Sequence, residues 1–313
     1  MSYLITHAPH LKDKLTVPHM MYATMAMLLP AALAGIYFFG LRALGLILVC
    51  VATAVATEYV INKLMKKEVT IMDGSAALTG LLLALCISPS LPFFAAILGS
   101  IFAIAIGKLL FGGLGYNIFN PTLTGRVFLA AAFPVHMTNW VAPLASRGVE
   151  AVSSATPLAV MKFQHELTPY WDLLMGNVSG CIGETSALLL LLGGLALTLR
   201  AGLWRIPLSY LGTVALLGGL FWMIDPSKYP DPLFHLLAGG LMLGAWFMAT
   251  DPVTSPLTRK GMLIFGMGAG ILVVVIRLFS GLPEGVMFSI LIMNAVVPLI
   301  NRYTRPRILG RKR

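Results

Sequence analysis

An all-α integral membrane protein with about ten transmembrane helices is the fold this sequence predicts, and three observations predict it. Hydrophobic residues make up 58% of the 313 and charged residues only 11%, with a mean hydropathy of +0.87. Soluble domains carry roughly 25% charged residues, so water would not solvate this chain. Apolar runs recur that are long enough to cross about 30 Å of hydrocarbon at ~1.5 Å per helical residue. The cations fall between those runs and not on one soluble face. That pattern ties the net charge of +10 to membrane topology and argues against nucleic acid as a partner.

The runs place spans at 20–39, 41–62, 76–87, 93–111 and 121–133, then at 179–199, 206–224, 233–249, 262–279 and 285–300. The third and fifth are short for a full crossing, which predicts half-helices or irregular ends. The opening MSYLITHAPHLKDK holds charge and polarity where a cleavable leader needs a basic stretch running straight into an apolar one. The first span is therefore expected to stay.

Short loops rich in Lys and Arg remain in the cytoplasm. Of 22 such residues, all but Arg42, Arg147, Lys162, Lys228 and Arg277 fall on one side when the N-terminus is placed inside, Lys108 and Arg126 included. The expected organisation is a cytoplasmic segment at 1–19, a first membrane repeat at 20–134, an external loop at 135–178, a second repeat at 179–300 and a basic cytoplasmic tail at 301–313.

Two groups of five spans invite a search for a repeat. Leu110-Phe111-Gly112-Gly113-Leu114 in the first group and Leu278-Phe279-Ser280-Gly281-Leu282 in the second both read L-F-x-G-L at the same relative place. Earlier in each group a Gly-rich helix ends in a polar turn with proline, Ser88-Pro89 and Thr250-Asp251-Pro252. An odd number of spans per repeat inverts one half relative to the other. That plan puts functional sites on broken helices at the repeat interface.

Cys50, Cys86 and Cys181 lie singly in apolar runs, without C-x-x-C or histidine partners, and read as packing residues. His136, His165 and His235 show no ligand spacing. No metal site and no catalytic residue is expected.

The external loop centres on Val152-Ser153-Ser154-Ala155-Thr156-Pro157-Leu158. The residue before a proline is steered away from the α region, so the Thr156 hydroxyl is expected to be extended and reachable by an external enzyme. Ser, Thr and Pro are also ordinary turn formers, and the residues alone single out nothing beyond a turn. Trp140, Tyr170 and Trp171 read as belt anchors at the outer boundary. On the cytoplasmic side, Gly112 and Gly113 permit close backbone approach to a ligand, and Asn117 and Asn120 offer amides at a helix break. On the residues alone, a re-entrant turn that only stabilises the fold is the favoured reading. Asp251 ends a span, where a carboxylate is costly unless paired or facing a cavity, so it is a candidate for an ion path; its other role is to cap the turn. Glu58 and Glu184 raise the same question more weakly.

Several stretches in order resemble the RnfD and NqrB membrane subunits. They are Asp73-Gly74-Ser75-Ala76-Ala77-Leu78-Thr79-Gly80, the run from Phe111 to Pro121, the Thr156 motif, Thr250-Asp251-Pro252-Val253-Thr254 and Tyr303-Thr304-Arg305-Pro306-Arg307. The resemblance implies FMN esterified through its phosphate to Thr156 by a flavin transferase on the external side. It also implies a noncovalent riboflavin in the region of Gly112, Gly113, Asn117 and Asn120. Further implications are a bacterial inner-membrane location and partner subunits lettered A, B, C, E and G. Electron transfer between ferredoxin and NAD(H) would be coupled to sodium or proton movement, with no complete reaction by this chain alone. Ser154 stands where the NqrB-type motif has glycine, which favours the RnfD branch. The alternatives are a solute transporter or channel without a redox cofactor, and a scaffold for partner subunits.

Overall fold

A computed structural model describes residues 16–143, 154–184 and 186–306. Lys12, Lys14, Arg147, Ser153, Arg307, Arg311, Lys312 and Arg313, with the outer parts of the two terminal segments, lie outside the described residues.

Every segment expected to span has a helical counterpart. These are α1 (Val17–Phe39), α2 (Leu41–Leu64), α3 (Ser75–Leu85), α4 (Phe93–Ile104, running on into a π-helical turn at Ala105–Leu109) and α5 (Pro121–Ala132). Then come α6 (Pro134–Thr138), α7 (Pro157–Gln164) and α8 (Tyr170–Met175), so the described residues of the segment expected outside include three short helices. The rest are α9 (Ala187–Ala201), α10 (Arg205–Ile224), α11 (Pro232–Leu237), α12 (Leu241–Leu243, continued by a π-helical turn at Gly244–Met248), α13 (Arg259–Phe279) and α14 (Val286–Thr304).

Among the described residues, α1, α2, α10, α13 and α14 are long and apolar enough to cross a membrane. Less than half of each apolar stretch is covered by protein, leaving a face for lipid. The short helices behave oppositely. Nine of the eleven residues of α3 are buried, as are all five of Gly244–Met248. A helix apolar all round belongs in the interior, so these short pieces form the centre and the long helices wrap them. At 11 and 12 residues, α3 and α5 reach only ~16–18 Å, about half the hydrocarbon thickness. The segment expected to span at 233–249 is broken where Ala238 leaves the helix and Gly239 takes φ +71.

Small residues set the closest packing, because lipid provides no hydrophobic drive between helices and dispersion contacts must supply it. On α3, a β-carbon at Gly80 would lie 2.7 Å from Cys50 O of α2. On α13, Gly266 and Gly270 form a G-x-x-x-G pair whose added β-carbons would strike Ser209 and Thr213 of α10. The most extensive packing is α10 on α13, α2 on α3, α13 on α14 and α4 on α5.

Candidate functional site

The sequence-derived candidates fall into two places. The first is a cavity of about 70 Å³ whose polar lining includes Ser75, Thr79, Lys108, Asn117, Asn120, Thr122, Thr250 and Asp251. Residues from α1, α3, α9 and the second π-helical turn close its apolar side, among them Met21, Leu197 and Phe247. It thus brings Asn117, Asn120 and Asp251 together. Gly112 and Gly113 do not line it. With φ of 122° and 104°, they form the left-handed turn that carries the chain from the first π-helical segment towards α5, a conformation that favours residues without a β-carbon.

Each polar side chain has a distinct local role. Asn120 caps α5: its Oδ1 accepts from the Thr122 and Leu123 amides at 3.0 and 3.4 Å. Its Nδ2 donates to Met248 O at 3.3 Å, and its backbone N–H donates to Asn294 Oδ1 at 3.2 Å. It therefore ties α5 to the second π turn and to α14. Asn117 donates to Phe119 O at 3.2 Å, but its buried Oδ1 meets no partner among the described residues. Asp251 accepts from the Val253 amide at 3.2 Å and from the Thr254 hydroxyl at 3.1 Å while facing the cavity. The turn-capping role and the cavity-facing role coexist.

Beside this cavity lies an ion pair that the sequence alone undervalues. Lys108 Nζ reaches both oxygens of Glu58, at 2.8 and 2.9 Å, and Ser75 Oγ at 2.6 Å, with both charged side chains almost fully buried. Thr70 donates to Glu58 at 2.8 Å. Glu58 is thus enclosed by protein, on the last two turns of α2, where it meets Lys108 from the first π-helical turn.

The second place is the start of α7. Thr156 is its N-cap, with extended backbone (φ −71°, ψ 154°), and its Oγ1 accepts from the Ala159 amide at 3.3 Å. The side chain is 9% exposed, so the hydroxyl is more sheltered than an open loop would leave it. Ser154 and Ser179 join hydroxyls and hold the motif to the chain before α9. Leu158 and Met161 pack with Leu173, Phe234 and Ala238 in a separate small core. Tyr170 donates to Asp231 at 2.7 Å, and burial together with that bond pushes its phenol up to about 12.

Arg126 is not a loop charge. Counted with the cytoplasmic set, it lies within α5 and donates to Glu284 Oε2 at 3.0 Å and to Cys181 Sγ at 3.5 Å, beside segments expected on the external side. The physical reason is that α5 starts at a buried asparagine, so a residue six positions on lies ~9 Å further along the helix axis. Arg277 is buried too, with Nη1 and Nη2 donating to His235 O and Ala238 O at 2.6 and 3.0 Å. Lys162 donates to the carbonyls of Arg277, Ser280 and Leu282 at the end of α13, and burial lowers its ammonium below the usual lysine value. None of these couplings between distant segments leaves a local motif.

A family model described as NQR2, RnfD, RnfE matches residues 4–310. The chain belongs to that family. Within it, the chain is similar to the D subunit of the proton-translocating ferredoxin:NAD(+) oxidoreductase complex of Clostridium ljungdahlii, 45% identical over 99% of this chain and 97% of the relative. It is also 45% identical to the D subunit of the Na(+)-translocating ferredoxin:NAD(+) oxidoreductase complex of Acetobacterium woodii, over 98% of this chain and 95% of the relative. The D subunit of an ion-translocating oxidoreductase complex of Escherichia coli is 37% identical over the full length of both. The family members so named are subunits of multi-subunit, ion-translocating oxidoreductases.

Proposed function

We propose that this chain is the membrane flavoprotein subunit, of the RnfD type, in an Rnf-type complex that couples electron transfer between ferredoxin and NAD(H) to ion movement. The partners in this reading are the subunits lettered A, B, C, E and G, with a flavin transferase for maturation. The observation that carries it is the setting of Thr156, a threonine hydroxyl at the N-terminus of an eight-residue helix. A phosphoester formed there would place anionic oxygens at the positive end of that helix, where backbone N–H groups point outward. The residues therefore fit a phosphate-linked FMN. Flavins supply one- and two-electron exchange when bound, and the protein's share is to hold and orient the ring.

Support for a noncovalent riboflavin comes from the cavity. The unmet Asn117 Oδ1 is an acceptor suited to a flavin N–H or ribityl hydroxyl, and Asn120 is already committed to capping. In this reading Asp251 belongs to the ion path, since its carboxylate faces the same cavity.

Ten spans in two inverted five-span repeats remain the best account of the architecture. Its support is that α2 packs on α4 as α10 does on α13, and α4 on α5 as α13 does on α14. The cation asymmetry supports a bacterial inner-membrane protein with both termini in the cytoplasm and Thr156 outside.

The test is intact-protein mass and in-gel flavin fluorescence on protein produced with a flavin transferase. Wild type and Thr156→Ser should carry the added nucleotide, and Thr156→Ala should not. Unchanged mass and fluorescence in Thr156→Ala removes the attachment. A solute transporter would also present a polar cavity with a carboxylate; it predicts substrate flux through the purified chain in liposomes and no flavin.

A further inference from the structure

At the Thr156 end of the bundle lies a second pocket, about 110 Å³, formed by α7, the turn between α10 and α11, α11 itself and the end of α13. Its lining includes Lys162, His165, Lys228, His235 and Arg277, and no carboxylate. We propose that this pocket binds the phosphate of an anionic phospholipid from the adjoining leaflet.

Unmet polarity points to a ligand. His235 is 2% exposed, and neither Nδ1 nor Nε2 has a partner among the described residues. A neutral imidazole carries one N–H donor and one lone pair, and leaving both unsatisfied in the interior is costly. Arg277 Nε is in the same condition. The two Nη groups of Arg277 are spent on backbone carbonyls, which carry no charge to balance it. Among the described residues the ion pairs are Lys108–Glu58 and Arg126–Glu284, so the nearest carboxylate that attracts Arg277, Glu284, is in contact with Arg126 instead. One carboxylate shared by two guanidinium groups leaves the cations of this pocket with no acidic group in its lining, and an anion bound there would supply the missing charge. Lys228 and His165, both exposed, would meet the anion at the rim.

The surroundings favour a lipid over free phosphate. Tyr229 of the lining touches Phe221, whose ring lies 5.6 Å from that of Phe279, itself 63% exposed. Met223 and Ile224, both 75% exposed, end α10 beside this turn. A charged pocket thus opens beside apolar surface at the ends of two membrane-crossing helices, the setting of a headgroup above its acyl chains.

The experiment is native mass spectrometry of the full chain, made with and without flavin transferase and equilibrated with phosphatidylglycerol–phosphatidylcholine mixtures or phosphatidylcholine alone. Wild type should keep one phosphatidylglycerol in both preparations. Lys228→Ala should weaken retention about fivefold, the effect of one cation at an anionic surface. His235→Phe should lose the lipid; if it does not fold, Lys228→Ala decides. Equal retention of phosphatidylcholine, or unaltered retention by Lys228→Ala, overturns the proposal. So does saturable binding of inorganic phosphate without lipid preference. Retention only when the flavin is absent assigns the pocket to the tethered nucleotide and likewise overturns it.

Discussion

The two polar interiors of this molecule solve the same problem in opposite ways. Around the first cavity the buried charges are matched: Lys108 faces Glu58 directly, and Asp251 is satisfied by its own turn. In the cluster at the other end, Arg126 is in contact with Glu284, Arg277 touches only neutral carbonyls and shares that carboxylate at longer range, and the ring nitrogens of His235 meet no partner among the described residues. A matched interior is stable without a ligand, whereas an interior with surplus cation gains by taking one up. The difference separates a region whose charges hold the fold, leaving a neutral acceptor, Asn117 Oδ1, for a ligand, from one whose charged groups await an occupant.

The strongest way to break the comparison is to unbalance the matched side. Glu58→Ala leaves Lys108 buried without its counter-charge and should cost ~3–5 kcal/mol, read as a lowered melting temperature in detergent. Adding Lys108→Met should recover most of that loss. If the double variant is no better than the single one, the pair is not the source of the cost.

Next in size is the other ion pair, where pH gives a signed test. Burial pushes the Glu284 carboxyl up, but Arg126, Arg277 and the Gly240 amide outweigh it and hold the group below its usual value. A depressed folded pKa contributes stability that is present above the ordinary carboxylate value, ~4.3, and disappears as pH falls through the folded one. Melting temperature should therefore drop on acidification below about pH 4, and Glu284→Gln should flatten that part of the profile. At neutral pH, Glu284→Gln should cost ~1–3 kcal/mol, less than a fully buried pair because this one is partly exposed.

A smaller effect attends the cap of α7. Thr156→Ala should lose ~1 kcal/mol in protein made without flavin transferase, and Thr156→Ser very little. The smallest effect sharpens the comparison most. Asn117→Leu removes an acceptor that no protein group uses, so thermal stability should move by less than ~1 kcal/mol while riboflavin retention, measured by fluorescence after denaturation, falls. A large loss of stability there would make Asn117 a structural residue.

Much of the helical plan was legible because lipid imposes length and apolarity on each span. The boundaries of α1, α2, α10 and α13 lie within a few residues of the apolar runs. Breaks were harder to read. The interruption near Gly239 sits in an otherwise apolar stretch, and the amide it frees, that of Gly240, is met by a carboxylate distant in the chain, Glu284, at 2.6 Å. Asn117, Asn120 and Asp251 were readable because each sits at a helix break, where polar groups stand out against apolar runs. His235 and Arg277 were not, because their surroundings come from segments far apart in the chain. Arg126 was counted as a loop charge because such counting assumes that helices begin outside the core, whereas α5 begins at a buried asparagine and holds Arg126 within the protein.

The π-helical turn at Ala105–Leu109 has its own consequence. Such a turn holds an extra residue, and each residue advances a helix by about 100°. Removing one position from it would leave the sequence nearly intact yet swing the lysine ammonium away from its carboxylate and towards the hydrocarbon. The widened turn thus acts as a register setting, aiming a single positive charge at the protein interior from a helix whose other buried positions are small or apolar.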